Sequence, residues 1–118
     1  MNKGDIIWAN NKRKHHHPIV FLEIITNGTF KAAILSSKNT KGNILMNQNH
    51  FCIYNKDNRL YNFQFNNTHL VVSNSFTKMD FWVDGQTIVG CLTDNGIDFV
   101  EHNIPQQPIL CNAPIWEL

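Results

Sequence analysis

The chain has 118 residues, 42% hydrophobic and 16% charged. That suffices for one domain, burying roughly two thirds of its unfolded surface, and is too short for a two-domain enzyme with a nucleotide fold. The net charge is only +1, but residues 1–60 carry nine Lys/Arg against three acids (+6), and residues 61–118 one lysine against six acids (−5). Such a division gives a basic and an acidic surface if the halves stay apart in space, and a mixed one if they interleave.

No window approaches the ~18 apolar residues that a membrane-crossing helix needs. The opening MNKGDIIWANNK lacks the apolar core and cleavage site of a signal peptide. The expectation is a soluble cytoplasmic protein with no membrane partner. Cys52, Cys91 and Cys111 are an odd number without close spacing, which predicts reduced thiols rather than a disulfide framework or a zinc site.

Short apolar runs divided by Asn, Gly and Lys follow one another, with no repeat and no linker. Residues 5–9 (DIIWA) form the first β-type run. Next comes the densest polar feature, Lys12-Arg13-Lys14-His15-His16-His17-Pro18. As a loop it projects cationic and titratable groups to one side. Lysine and arginine neutralise phosphates, and imidazole exchanges a proton near neutral pH. The plain reading of the same run is a solvated charge cluster, with His17 packed at a strand start. A metal site is disfavoured, because neighbours on an extended chain point to opposite faces. No metal or cofactor is expected.

Residues 18–26 (PIVFLEIIT) are a β-branched strand, and Asn27-Gly28 is a hairpin signal that joins it to residues 29–36 (TFKAAILS). That strand runs into Ser36-Ser37-Lys38-Asn39-Thr40-Lys41-Gly42. Hydroxyls beside a lysine at a strand end can hold a phosphate, the lysine offsetting charge that grows in a phosphoryl transition state. The plain reading is an ordinary hairpin loop. Further strands are predicted at 43–46, 52–54, 60–65, 68–73 and 86–92, with a polar turn at 55–59. His50 and His69 are lone histidines and read as packing residues.

Thr93 is placed as the N-cap of one short helix, about residues 94–102, with Asp94 and Asp98 near its positive end. Gly96 weakens it, and it stops before Pro105. Residues 1–103 therefore form the domain. Residues 104–118 form an extended Pro-rich tail, whose Ile109, Leu110, Ile115 and Trp116 are too apolar to hang in water and should pack on the domain or on a partner subunit. Many short strands and little helix predict a mainly β protein, a small, partly open barrel or a sandwich.

Three stretches together resemble the MazF/PemK-like toxin family of bacterial toxin–antitoxin systems. They are Gly4-Asp5-Ile6-Ile7-Trp8, then His17-Pro18 leading Ile19-Val20-Phe21-Leu22, then Ile34-Leu35-Ser36-Ser37 with Lys38 and Lys41-Gly42 soon after. Order and spacing agree over about residues 3–46. Beyond that, residues 89–100, a strand leading into a helix, look similar, and residues 50–88 match poorly. The family's usual Arg before the proline is His17 here, its usual Thr is Ser36 or Ser37, and its Gly/Gln-containing loop is replaced by residues 10–16.

The resemblance implies an SH3-like barrel with one helix, usually a homodimer. It implies a metal-independent endoribonuclease that cuts single-stranded RNA and is neutralised by a cognate antitoxin. On that reading His17 is the acid/base group, with His16 as the alternative titrating residue. Ser36, or less favourably Ser37, donates to the phosphate, and Lys38 or Arg13 stabilises the phosphorane. Lys12, Arg13, Lys14, His16, Ser37 and Lys41 bind the RNA. The competing reading is a non-catalytic SH3-like module, a relative without nuclease activity, that binds protein or nucleic acid.

Overall fold

A computed structural model describes residues 1–11, 16–25, 28–40, 42–61, 65–79, 85–104 and 116–117, with backbone alone at 9–11, 16, 25, 73–79 and 116–117. The strands are β1 (Asp5–Asn11), β2 (His16–Ile25), β3 (Thr29–Ser36), β4 (Ile44–Leu45), β5 (His69–Met79), β6 (Gly90–Cys91) and β7 (Trp116–Glu117). All pair antiparallel in one sheet of order β4-β5-β3-β2-β1-β6, with β7 also on β1. β4 and β6 end this path without meeting, so the fold is mainly β and the barrel is partly open, as the run of short strands predicts.

The middle of the sheet is buried on both faces. Ile6, Val20, Leu22, Ala33, Leu35 and Leu70 turn to one cluster, and Ile7, Ile19, Phe21, Phe30, Ala32 and Ile34 to the other. A strand that must be apolar on both sides reads as a continuous hydrophobic run, which is why residues 19–22 show no polar alternation; Glu23 and Ile24, just beyond, are exposed. Gly28, at φ +73°, supplies the positive φ of the β2–β3 turn.

The first cluster is closed by Phe51, Phe65, Leu92 and the helix α1 (Asp94–Asn103), which brings Val100, with Ile97 and Phe99 packed alongside. The Thr93 hydroxyl accepts the Gly96 N–H at 3.2 Å and donates to the Asn49 carbonyl at 2.8 Å. One side chain thus caps the helix and ties it to the 3-10 turn Gln48–His50. The same contact explains Gly96: a Cβ there would fall on the His50 carbonyl. Close approach of two backbones, not helix propensity, selects glycine at this position.

Several expectations are corrected. Residues 52–54 and, of 60–65, the described residues 60, 61 and 65 are not strands; isolated bridges join Phe51 to Leu92 and Tyr54 to Leu60. The strand predicted over 86–92 shrinks to β6. β5 runs on to Met79, past Asn74-Ser75, because it pairs along nearly the whole of β3 with an irregularity between Ala33 and Leu35. The charge halves interleave, since β5 lies between β3 and β4 while β6 pairs with β1. Of the tail, Ile104 is buried and β7 returns to β1; residues 105–115 lie outside the described ones.

The reduced-thiol expectation is also corrected: Cys52 and Cys91 form a disulfide, Cα atoms 5.5 Å apart across 39 residues of sequence. Their spacing hides the pairing, which arises because the Cys52 N–H bonds to the Cys91 carbonyl where the Phe51–Leu92 bridge joins loop to strand. Cross-linking a loop of this length removes denatured-state entropy worth about 4 kcal/mol.

Two outcomes follow for stability. Reduction, or Cys91→Ser, should lower the melting temperature by roughly 10–15 °C, and thiol titration of the denatured, unreduced chain should find one free thiol out of three cysteines. Gly96→Ala should destabilise by about 1–3 kcal/mol in chemical denaturation, because overpacking against a fixed carbonyl outweighs the roughly 1 kcal/mol propensity gain.

Candidate functional site

β2 and β3 are in register at Ile19 and Ile34. That ladder ends there; His17, two residues before it, pairs with Ala9 of β1. On the other edge of β3, Ser36 pairs with His69 of β5. Residues opposite each other across a ladder share a face of the sheet, so Ser36 and His69 stand side by side, and the His17 ring reaches the same strand end through its contact with the Leu35 carbonyl. With strands about 4.8 Å apart, β2, β3 and β5 span roughly 10 Å, and Ser36 stands on the middle one.

Pro18 brings no N–H to the ladder, and beyond the Ile19–Ile34 pair the His17 ring itself reaches β3, its Nδ1 lying 3.4 Å from the Leu35 carbonyl. A carbonyl only accepts, so Nδ1 carries the proton and Nε2 is the basic nitrogen of the neutral ring. The Ser36 hydroxyl accepts the Lys38 N–H at 3.1 Å. The Lys38 carbonyl in turn accepts from the Asn43 side-chain amide at 3.0 Å, which holds the turn after β3 against the start of β4.

Exposure is graded across this strand end. Ser36 and His69 are only 8% and 6% exposed, His17 is half-buried, and Ser37 and Lys38 are exposed. Two buried side-chain polar atoms have no hydrogen-bond partner among the described residues: His69 Nδ1 and Asn43 Oδ1. Both belong to this end of the sheet, β4 pairing with β5 at Leu45 and His69. Leaving such an atom unsatisfied costs about 1–3 kcal/mol.

Of the residues singled out from sequence, His17, Ser36, Ser37 and Lys38 gather here. The His16 backbone pairs with Asn10 at the start of β2. Lys12, Arg13, Lys14 and Lys41 lie outside the described residues. Sequence reasoning left His69 and Asn43 unused, because no spacing along one strand reveals who stands beside it; only the β3–β5 and β4–β5 registers do.

His50 is separate from this strand end. Its Nδ1 accepts the Asn47 N–H at 3.0 Å and its ring packs on Phe99, centroids 4.5 Å apart. Burial holds its pKa below the usual 6.5. A cavity of about 490 Å³ also lies apart, lined among others by Asp5, Trp8, Lys56 and Tyr61. Burial there raises the Tyr61 pKa, and the neighbouring Asp5 carboxylate raises it further. No protein-family model, curated protein or solved structure matches the chain.

The buried histidine makes stability depend on pH. His50 takes up a proton more readily unfolded than folded, so its contribution is full above pH 6.5 and is lost as pH falls through that value toward the lower folded pKa. Denaturation midpoints measured from pH 8 to pH 5 should fall for the wild type, and the gap to His50→Gln should narrow over the same interval.

Proposed function

We propose that the chain is a metal-independent endoribonuclease of the MazF/PemK-like kind, cutting single-stranded RNA in the cytoplasm as a homodimer that a cognate antitoxin restrains. The observation that carries this reading is that the His17 ring reaches the Leu35 carbonyl at the end of β3, beside Ser36, whose hydroxyl accepts the N–H of the exposed Lys38. An SH3-like barrel is the form of partly open β-barrel that goes with it.

The chemistry asks for three things. A base takes the 2′-hydroxyl proton, O2′ bonds to phosphorus as the P–O5′ bond breaks, and O5′ is protonated, leaving a 2′,3′-cyclic phosphate and a 5′-hydroxyl. His17 acts as acid/base. The Ser36 hydroxyl, whose oxygen already accepts from Lys38 N–H, turns its own proton to a phosphate oxygen. The Lys38 ammonium offsets the charge of the phosphorane. Lys12, Arg13, Lys14, His16, Ser37 and Lys41 hold the RNA backbone.

A second reading has its own observation. Ser36 is 8% exposed, which suits a binding module that has lost nuclease activity and meets nucleic acid or protein through its basic loop.

One experiment separates the two. The wild type, in EDTA and without antitoxin, should cleave a mixed RNA pool, and His17→Ala should slow cleavage by about 10²–10⁴-fold and relieve growth arrest on expression. A wild type inert in both assays overturns the enzyme reading. RNA binding without hydrolysis, its log affinity falling steeply with log salt, then establishes the binding module.

A further inference from the structure

We propose that His69 is a second imidazole of the phosphate site, donating through Nδ1 the proton that the leaving O5′ of RNA takes up; this rests on the nuclease reading above. His69 pairs with Ser36 on one edge of β3, and the His17 ring meets the Leu35 carbonyl from the other edge. It is almost fully buried, yet its Nδ1 has no partner among the described residues. A histidine retained for packing gains nothing from an orphaned ring nitrogen, whereas a site built for a ligand leaves such an atom waiting for it.

The second orphaned atom, Asn43 Oδ1, belongs to the residue whose amide holds the Lys38 carbonyl. Both unsatisfied atoms thus lie on the β4–β5 side of Ser36, the side away from His17. A phosphodiester at this strand end answers them. Its apical O2′ and O5′ stand on opposite sides of phosphorus, and two imidazoles from β2 and β5, strands roughly 10 Å apart across β3, flank one phosphate. O5′ accepts from His69 Nδ1, and an O–H or N–H of the departing nucleotide donates to Asn43 Oδ1.

The step balances without any co-reactant. His17 Nε2 takes the O2′ proton, the O2′–P bond forms, the P–O5′ bond breaks, and O5′ takes the Nδ1 proton of His69. Water returns a proton to His69 and removes one from His17. Of the elements beside β5, β3 brings Ser36 opposite His69, with the lysine Lys38 two residues further on. β4 and its approach bring Leu45 and Asn43, which do not titrate.

The test compares an RNA with the same RNA carrying sulfur for the bridging O5′ at its cleavage site, since a thiolate leaves without a proton. His69→Gln should cut kcat on RNA by about 10²–10⁴-fold, abolish the alkaline limb of the pH–rate profile, and restore cleavage of the sulfur substrate to within about tenfold of wild type. Equal loss on both substrates, or an intact alkaline limb, overturns the role of His69 while the nuclease reading stands. A wild type that cleaves neither substrate overturns both. Where His69→Gln does not fold by circular dichroism, the wild type decides: in protein labelled with ¹⁵N-histidine, His69 ring signals should move saturably with inorganic phosphate, and signals that stay fixed overturn the proposal.

Discussion

Strand β3 is bonded along both edges, to β2 through a tight hairpin and to β5 from far along the chain. Every described feature of this protein leans on that double pairing. It buries alternate β3 residues in two different clusters, Ala33 and Leu35 in one and Phe30, Ala32 and Ile34 in the other. A slip of one residue would exchange the two sets and move Ser36 to the other face of the sheet. Register is therefore fixed by burial along the strand, and the polar residues at its end are placed by the apolar ones before them.

The opposite end is fixed by closer and more local means. Thr93 joins helix and 3-10 turn with one hydroxyl, Gly96 lets the two backbones meet, and the Cys52–Cys91 bond pins the loop to β6. These contacts seat Val100 and Leu92 on the sheet with a helix of 10 residues. The disulfide also bears on where such a fold is at home: in a reducing cytoplasm the pair would be kept as thiols, and the loop would then depend on Thr93 and on the backbone bridge alone.

The end of the sheet where β3, β4 and β5 meet differs from both clusters in holding two buried polar atoms, His69 Nδ1 and Asn43 Oδ1, with no partner among the described residues. An apolar face costs nothing to bury, and a hydrogen-bonded polar face costs little. A buried imidazole nitrogen and a buried amide oxygen left open are a standing destabilisation. That is the physical ground for regarding this end of the sheet as a place where something binds, and it is independent of any likeness between this chain and others.

Much of the fold was legible along the chain. The apolar run 19–22, buried on both sides, the positive φ at Gly28, the strand 29–36 with the boundaries it has in the structure, and the Thr93 cap all follow from local rules of burial period, turn chemistry and capping. His17, Ser36 and Lys38 were singled out by the family resemblance; that β2 and β3 lie side by side follows from their closeness in sequence, but the bulge between Phe21 and Glu23 keeps their register from being counted from the turn. His69, Asn43, the Cys52–Cys91 pair and the need for Gly96 could not be read that way. Each depends on which distant segment lies alongside, and pairing between segments 30 or more residues apart is decided by how the whole apolar surface closes. Local sequence determines which residues a strand offers and on which face; only the closed sheet determines what those residues meet.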